Sequence, residues 1–249
     1  MAALDRAGYT VLEAITDEGR SSSRTASHPH TFICIDGKTY WVKGTVQQGL
    51  VAELICGRLA ARVGAGPGAR IVRVTADVLP TGAPLDLEGL VVGSEDVPGT
   101  VNARDLEPFL SAGTFEPSLI DPAARARVIV FQSWVGADDA QVLVGLADGL
   151  VRSIDHGACF GATDALTDPA PVVVPIPGVG SDVGREQVHV SAATQRVEAV
   201  SDRELQQIVS GIPSGPAWRS LVDRRSEIAL WLAHRRDRLK EVMTHWQLP

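Results

Sequence analysis

The stretch that most restricts this chain is Phe131 to Gly157, F-Q-S-W-V-G-A-D-D-A-Q-V-L-V-G-L-A-D-G-L-V-R-S-I-D-H-G. An apolar helix leads into a loop carrying Asp138 and Asp139. Two short apolar runs follow, joined by Asp148-Gly149, whose glycine suits the positive φ of a tight hairpin turn. The second run ends on Asp155, with Gly157 behind it to free the chain. One carboxylate in a loop and another at a strand end suit phosphoryl transfer: one acid faces a hydroxyl, and the other holds a metal on phosphates.

Upstream, the pattern is β-rich. Residues 9–15 (Y-T-V-L-E-A-I) and 31–35 (T-F-I-C-I) have the β-branched and aromatic composition of strands, with a polar, hydroxyl-rich stretch between them. Asp36-Gly37-Lys38 predicts a hairpin joining 31–35 to 39–43, and alternation puts Lys43 on the same face as Trp41. A helix is expected from Val51 to Val63, stopped by Gly64, and another strand from Arg70 to Val74.

From about residue 100 the pattern turns helical. Asn102 is placed to cap a short helix running through Leu110. Asp121-Pro122 starts the helix that ends at Trp134, with an N-cap acceptor and proline at the first position. Residues 169–184 are rich in proline and glycine and should be irregular. Ser201 opens a capping box for a helix to about Ser210, and an arginine-dense last helix is expected from about Pro216 to Trp246. The expected fold class is α+β, with a small β-rich N-terminal lobe (about residues 1–98) and a larger helical lobe (about 99–249) in a single domain.

Composition narrows the setting. A net charge of −7 argues against a protein that tracks nucleic-acid phosphates. The longest apolar runs fall short of the roughly 18 residues of a membrane span, and the N-terminus lacks a basic-then-apolar signal. Cys34, Cys56 and Cys159 have no metal-type spacing, which fits buried thiols in a reducing, cytoplasmic compartment.

Each candidate for chemistry has a plain alternative. Lys43 can extend an ammonium to nucleotide phosphates or sit solvated on its hairpin. Glu53 can pair with Lys43 or be a surface carboxylate favoured by a helix N-terminus. Asp139 can face the acceptor hydroxyl or fill a polar turn. Asp155 can hold a metal or end a strand. The run G-R-S-S-S-R-T-A-S can offer phosphates the hydroxyls and N–H groups of Ser21, Ser22 and Ser23, or be a plain loop. His156, beside a glycine, reads as a local hydrogen-bonding residue.

The segments Y-W-V-K-G (40–44), V-A-E-L-I-C-G-R-L-A-A-R-V-G (51–64), F-Q-S-W-V-G (131–136), S-I-D-H-G (153–157) and A-L-W-L-A-H-R-R-D-R-L (229–239) resemble the HipA-like kinases. The resemblance is to their smaller bacterial branch, which lacks the toxin's N-terminal subdomain. It implies a two-lobed fold related to Ser/Thr and phosphatidylinositol kinases, with ATP and Mg²⁺ as cofactors and a protein or small-molecule hydroxyl as acceptor. It further implies that Lys43 binds the nucleotide, Glu53 partners it, Asp139 is the catalytic aspartate and Asp155 binds metal. The family's loop reads N-x-D-R-H-x-x-N, whereas Ala137 to Val144 here read A-D-D-A-Q-V-L-V. On that comparison Val144 stands where the second metal ligand is expected, and valine has no oxygen to offer Mg²⁺. The alternative function is therefore a pseudokinase: a nucleotide-sensing or protein-binding module, with partner surfaces on the proline-rich segment or the basic last helix.

Overall fold

The computed structural model describes residues 8–20, 29–44, 49–79, 85–137, 139, 141–160, 166, 175–214, 218 and 224–244. Five strands close into a barrel in the order β1-β2-β3-β5-β4: β1 (Leu12–Arg20), β2 (His30–Cys34), β3 (Thr39–Lys43), β4 (Ala69–Val74) and β5 (Gly89–Glu95). All pairings are antiparallel except β1 with β4. Alternation along the strands fills the interior with Leu12, Phe32, Tyr40, Val42, Val72 and Val91. On β3, Tyr40 and Val42 are buried while Trp41 and Lys43 take the opposite face, as the period-2 pattern requires.

Helix α1 (Leu50–Val63) lies against β4 and β5. Their close approach is set at Gly57, where a Cβ would come within 2.4 Å of the Ala69 side chain. A second sheet, β6-β7-β8, comprises β6 (Thr100–Asn102), β7 (Gln141–Gly145) and β8 (Val151–Ile154), all antiparallel. Helices α2 (Glu107–Ser111), α3 (Pro122–Val135), α4 (Gln187–Glu198), α5 (Asp202–Ser210), α6 (Arg225–Asp237) and α7 (Leu239–Thr244) complete the described fold. One core cluster joins Leu54 and Leu59 of α1 to Phe131 and Trp134 of α3, Leu205 of α5 and Leu232 of α6. The arginine-rich α6 is pinned to the end of α3: Trp134 Nε1 donates to Leu232 O at 2.9 Å, and Arg235 donates to Trp134 O and Ser133 O. Among the described residues no helix is long and apolar enough to cross a membrane.

Several expectations are met at their predicted positions. β3 spans 39–43, α1 ends on Gly64 at φ 73°, Asp121 caps α3 through Ala123 N–H, and Ser201 and Glu204 form the capping box of α5. Others need correction. β1 runs on to Arg20, through a polar stretch expected to lie outside the strand, because β2 supplies its backbone partners as far as His30. Asn102 caps a 3-10 turn, Ala103–Asp105, and α2 is a separate helix beginning after Leu106. The last helix is broken at Arg238. Strand β5 and helix α4 were not expected. Of the proline-rich segment, 175–184 carries no helix or strand.

Candidate active site

β3, α1 and the end of β8 converge on one cleft of about 280 Å³, lined by residues that include Trp41, Lys43, Glu53, Asp96, Gln141 and Asp155. Lys43 arrives at the end of β3 and Glu53 in the first turn of α1. Asp155 follows β8 in the left-handed region at φ 55°, a conformation that Asp tolerates better than most residues. The start of α1 is set against the turn after Asp155: Gly49 has φ 96°, and a Cβ there would lie 2.2 Å from Gly157 O. Only glycine meets both conditions.

The Lys43 ammonium donates to Asp155 Oδ1 at 2.5 Å and to Glu53 Oε2 at 3.1 Å. The second Glu53 oxygen accepts from Ser94 Oγ at 3.1 Å. Burial alone would depress the lysine pKa, but Glu53 and then Asp155 outweigh it and hold Lys43 above its ordinary range. Burial pushes Glu53 up, yet Lys43 foremost, with His156 and the Ser94 hydrogen bond, brings it below the usual carboxylate range. Lys43 is therefore a fixed cation, and Glu53 is buried rather than on the surface.

His156 is buried and bonded locally, as its sequence context suggests: Nε2 meets Ser153 Oγ at 3.0 Å, and the ring stands edge-on to Phe131 at 5.5 Å. Gln132 Nε2 donates to the same hydroxyl at 3.0 Å. Burial, the largest effect, lowers the His156 pKa and favours the neutral ring.

Asp139 is not brought to this cluster. It lies in the loop before β7, more than half exposed, and accepts from Arg104 at 2.8 Å. It does not line the cleft. Ser21, Ser22 and Ser23 lie outside the described residues, as do Asp138 and Ala140. Pro29, just before β2, lines the cleft, so the end of that connection is at the site.

The expected role of Val144 as the degenerate ligand position changes once β7 is seen. Val144 is fully buried near the end of the strand, paired with Val101 and Val151, and packs in a core cluster. The residue of this segment that meets Asp155 is Gln141, whose Nε2 donates to Asp155 Oδ2 at 3.0 Å. Gln141 also accepts from Asn102 Nδ2 at 3.2 Å. Neither contact is legible in the sequence, since the first depends on the register that places Gln141 opposite Ile154 and the second on the register that places Asn102 opposite Leu143. The sequence marks Asn102 only as a cap.

A divalent cation can be tested against these donors. Mg²⁺ takes oxygen ligands, commonly one or two carboxylates completed by substrate phosphates. Among the described residues there is no group of three or more His, Cys, Asp or Glu side chains suited to a metal. Of the two carboxylates that meet Lys43, Glu53 is buried and Asp155 is the more open to the cleft, which fits one cation shared with nucleotide phosphates and does not fit a protein-built cage.

The model of the HipA-like kinase family matches residues 15–245. Among solved structures, a Helicobacter pylori proinflammatory kinase, CtkA, superimposes with a TM-score of 0.56 at 10% identity, covering 93% of this chain and 95% of its own. The open conformation of CtTel1 gives 0.45 at 14% identity, covering 87% of this chain and 11% of its own. The Golgi casein kinase with Mn/ADP bound gives 0.43 at 10% identity, covering 97% of this chain and 74% of its own. The first of these is a likeness of fold. Comparison with curated protein sequences yields no match.

Proposed function

The chain belongs to the HipA-like kinase family, and on that premise we propose that it is a phosphotransferase using ATP and Mg²⁺ to phosphorylate a hydroxyl on a protein or small molecule. The observation that carries this reading is Lys43, held at once by Glu53 and Asp155 in a single cleft. An ammonium fixed by a buried carboxylate is prepared to meet nucleotide phosphates without the cost of ordering it on binding. In this reading the barrel with α1 forms an N-terminal lobe, residues from 99 onward form the other, and the cleft lies between them.

Trp41, Val97, Leu143 and Ile154 offer apolar edges for a nucleobase. Ser21, Ser22 and Ser23 would cover phosphates from the β1–β2 connection. Asp155 would hold the cation, which when bound supplies neutralisation of charge on the phosphates. Asp139 would orient the acceptor hydroxyl after a movement that brings its loop to the cleft. The three free, buried thiols support a reducing, cytoplasmic setting.

A pseudokinase that senses nucleotide or binds a protein is the second reading. It is favoured by the full engagement of Asp155, by Lys43 on one oxygen and Gln141 on the other, and by the exposed position of Asp139. Thermal unfolding with ATP, with Mg²⁺ and with both separates the two. A ligand at a hundredfold excess over its dissociation constant adds about 2.7 kcal/mol. A shift that needs Mg²⁺ and vanishes in Asp155→Ala is expected of the phosphotransferase. A shift with ATP alone fits the sensor, and no shift under any condition removes the nucleotide reading.

A further inference from the structure

Asn102, Gln141 and Asp155 form a chain of hydrogen bonds whose direction is fixed at both ends. At one end the backbone N–H of Arg104 donates to Asn102 Oδ1 at 3.0 Å. A backbone N–H can only donate, so this bond, which caps the 3-10 turn, settles which side of the Asn102 carboxamide is oxygen. The other side is then the NH₂ group, and it donates to Gln141 Oε1 at 3.2 Å. Gln141 in turn points its own NH₂ at Asp155 Oδ2, 3.0 Å away. At that far end an ionised carboxylate can only accept, so the polarity required by Asp155 agrees with the polarity imposed by the cap.

We propose that Asn102 is a positioning residue that holds Gln141 with its N–H toward Asp155, so that the position beside the metal-binding aspartate carries a donor instead of a second oxygen ligand. This rests on the reading of Asp155 as the cation-binding aspartate. Gln141 is chemically able to ligate through its carboxamide oxygen, and the relay turns that oxygen away. Asp155 Oδ2 is occupied, and Oδ1, now bonded to Lys43, is the oxygen that a cation shared with nucleotide phosphates would take. The site is thereby set for at most one cation at Asp155.

Reversing the relay tests this. In Asn102→Asp the capping oxygen is kept, because aspartate also accepts from an N–H. The other oxygen can no longer donate, so Gln141 turns its NH₂ toward residue 102 and its oxygen toward Asp155. Partners outside the ligand shell typically change metal affinity by about 10- to 100-fold, so a gain of about tenfold is expected. The probe is Mn²⁺ alone, titrated into the whole chain and followed by water-proton relaxation, then repeated with a non-hydrolysable ATP analogue.

Asn102→Asp should bind Mn²⁺ about tenfold more tightly than the natural chain, and Gln141→Glu should do the same by supplying the oxygen directly. The double variant Asn102→Asp/Gln141→Leu should lose the gain, because the effect acts through Gln141. Unchanged Mn²⁺ affinity in Asn102→Asp overturns the proposal. So does a gain that survives Gln141→Leu, since the new carboxylate would then be ligating by itself. The Mn²⁺ titration is read without nucleotide, so a failure of ATP to bind sinks the phosphotransferase reading and leaves this result standing.

Discussion

Ion pairs of similar length lie in two places, one within the lining of the candidate cleft and one outside it. Lys43 meets Glu53 at 3.1 Å and Asp155 at 2.5 Å, and Arg104 meets Asp139 at 2.8 Å. Distance does not distinguish them; solvent does. The Glu53 side chain is 4% exposed and that of Asp139 is 54% exposed. A buried charge must be matched by the fold or carry a large desolvation cost, whereas an exposed pair competes with water and is worth little. The inner cluster is therefore part of the architecture, and the outer pair is a contact that can be exchanged for a substrate at small cost.

The sharpest way to break this contrast is Glu53→Ala. Removing one partner of a buried pair costs about 3–5 kcal/mol, and the lower end applies because Asp155 still pairs with Lys43. Ser94 Oγ would lose its acceptor as well. Denaturant unfolding should show a loss of at least about 3 kcal/mol. A change below about 1 kcal/mol, the size seen for exposed pairs, would mean that Glu53 is not the buried anchor described here.

The inner region should also respond to pH in one direction. The His156 pKa is lowered by burial from its ordinary 6.5, so below that pH the unfolded chain takes up a proton that the native ring refuses. Stability thus falls on acidification, by up to about 1.4 kcal/mol per pH unit below 6.5. Glu53, held below its ordinary 4.5, adds to the loss at lower pH, since it must be protonated to break its pair with Lys43. In His156→Gln the decline between pH 7 and pH 5 should flatten, whatever the variant's stability at neutral pH. An unchanged slope would show that another group carries the acid sensitivity.

The same contrast governs how much could be read in advance. Local signals were legible. The Asp-Gly turn placed β3, Asp121-Pro122 placed the start of α3, and the Ser201–Glu204 spacing placed α5. Lys43 and Glu53 could be paired because strand and helix are consecutive. Pairings set by register were not legible. Gly89–Glu95, the strand β5 that joins β3 to β4 and closes the barrel, carries a weak strand signal because its short run is interrupted by glycines. Helix α4 is barely apolar, and its core residues Ala193 and Val197 become evident only against α3. By the family's spacing Gln141 replaces a histidine and Val144 the second metal ligand, but counting along the loop cannot say which side chain β7 turns toward Asp155. Asp139 lies outside the cleft and bonded to Arg104, in a turn more than thirty residues away in the chain, and no local signal indicates that partner.

The smallest effect on stability is expected at the outer pair, and there the comparison has functional content. Arg104→Ala and Asp139→Asn should each change unfolding free energy by less than about 1 kcal/mol, because both side chains are exposed and screened. If Asp139 orients the acceptor hydroxyl, Asp139→Asn should nonetheless abolish phosphoryl transfer while leaving the ATP-induced thermal shift intact, since the nucleotide contacts belong to the inner cluster. Arg104→Ala should do the opposite and free the aspartate, so that transfer is kept or raised. Equal loss of transfer in both variants would instead mean that the pair itself is needed, with Arg104 holding Asp139 in place. If neither variant affects transfer, Asp139 is a polar turn residue, and the acceptor is oriented by another group on the cleft wall, where Asp105 is the nearest carboxylate in sequence to Arg104.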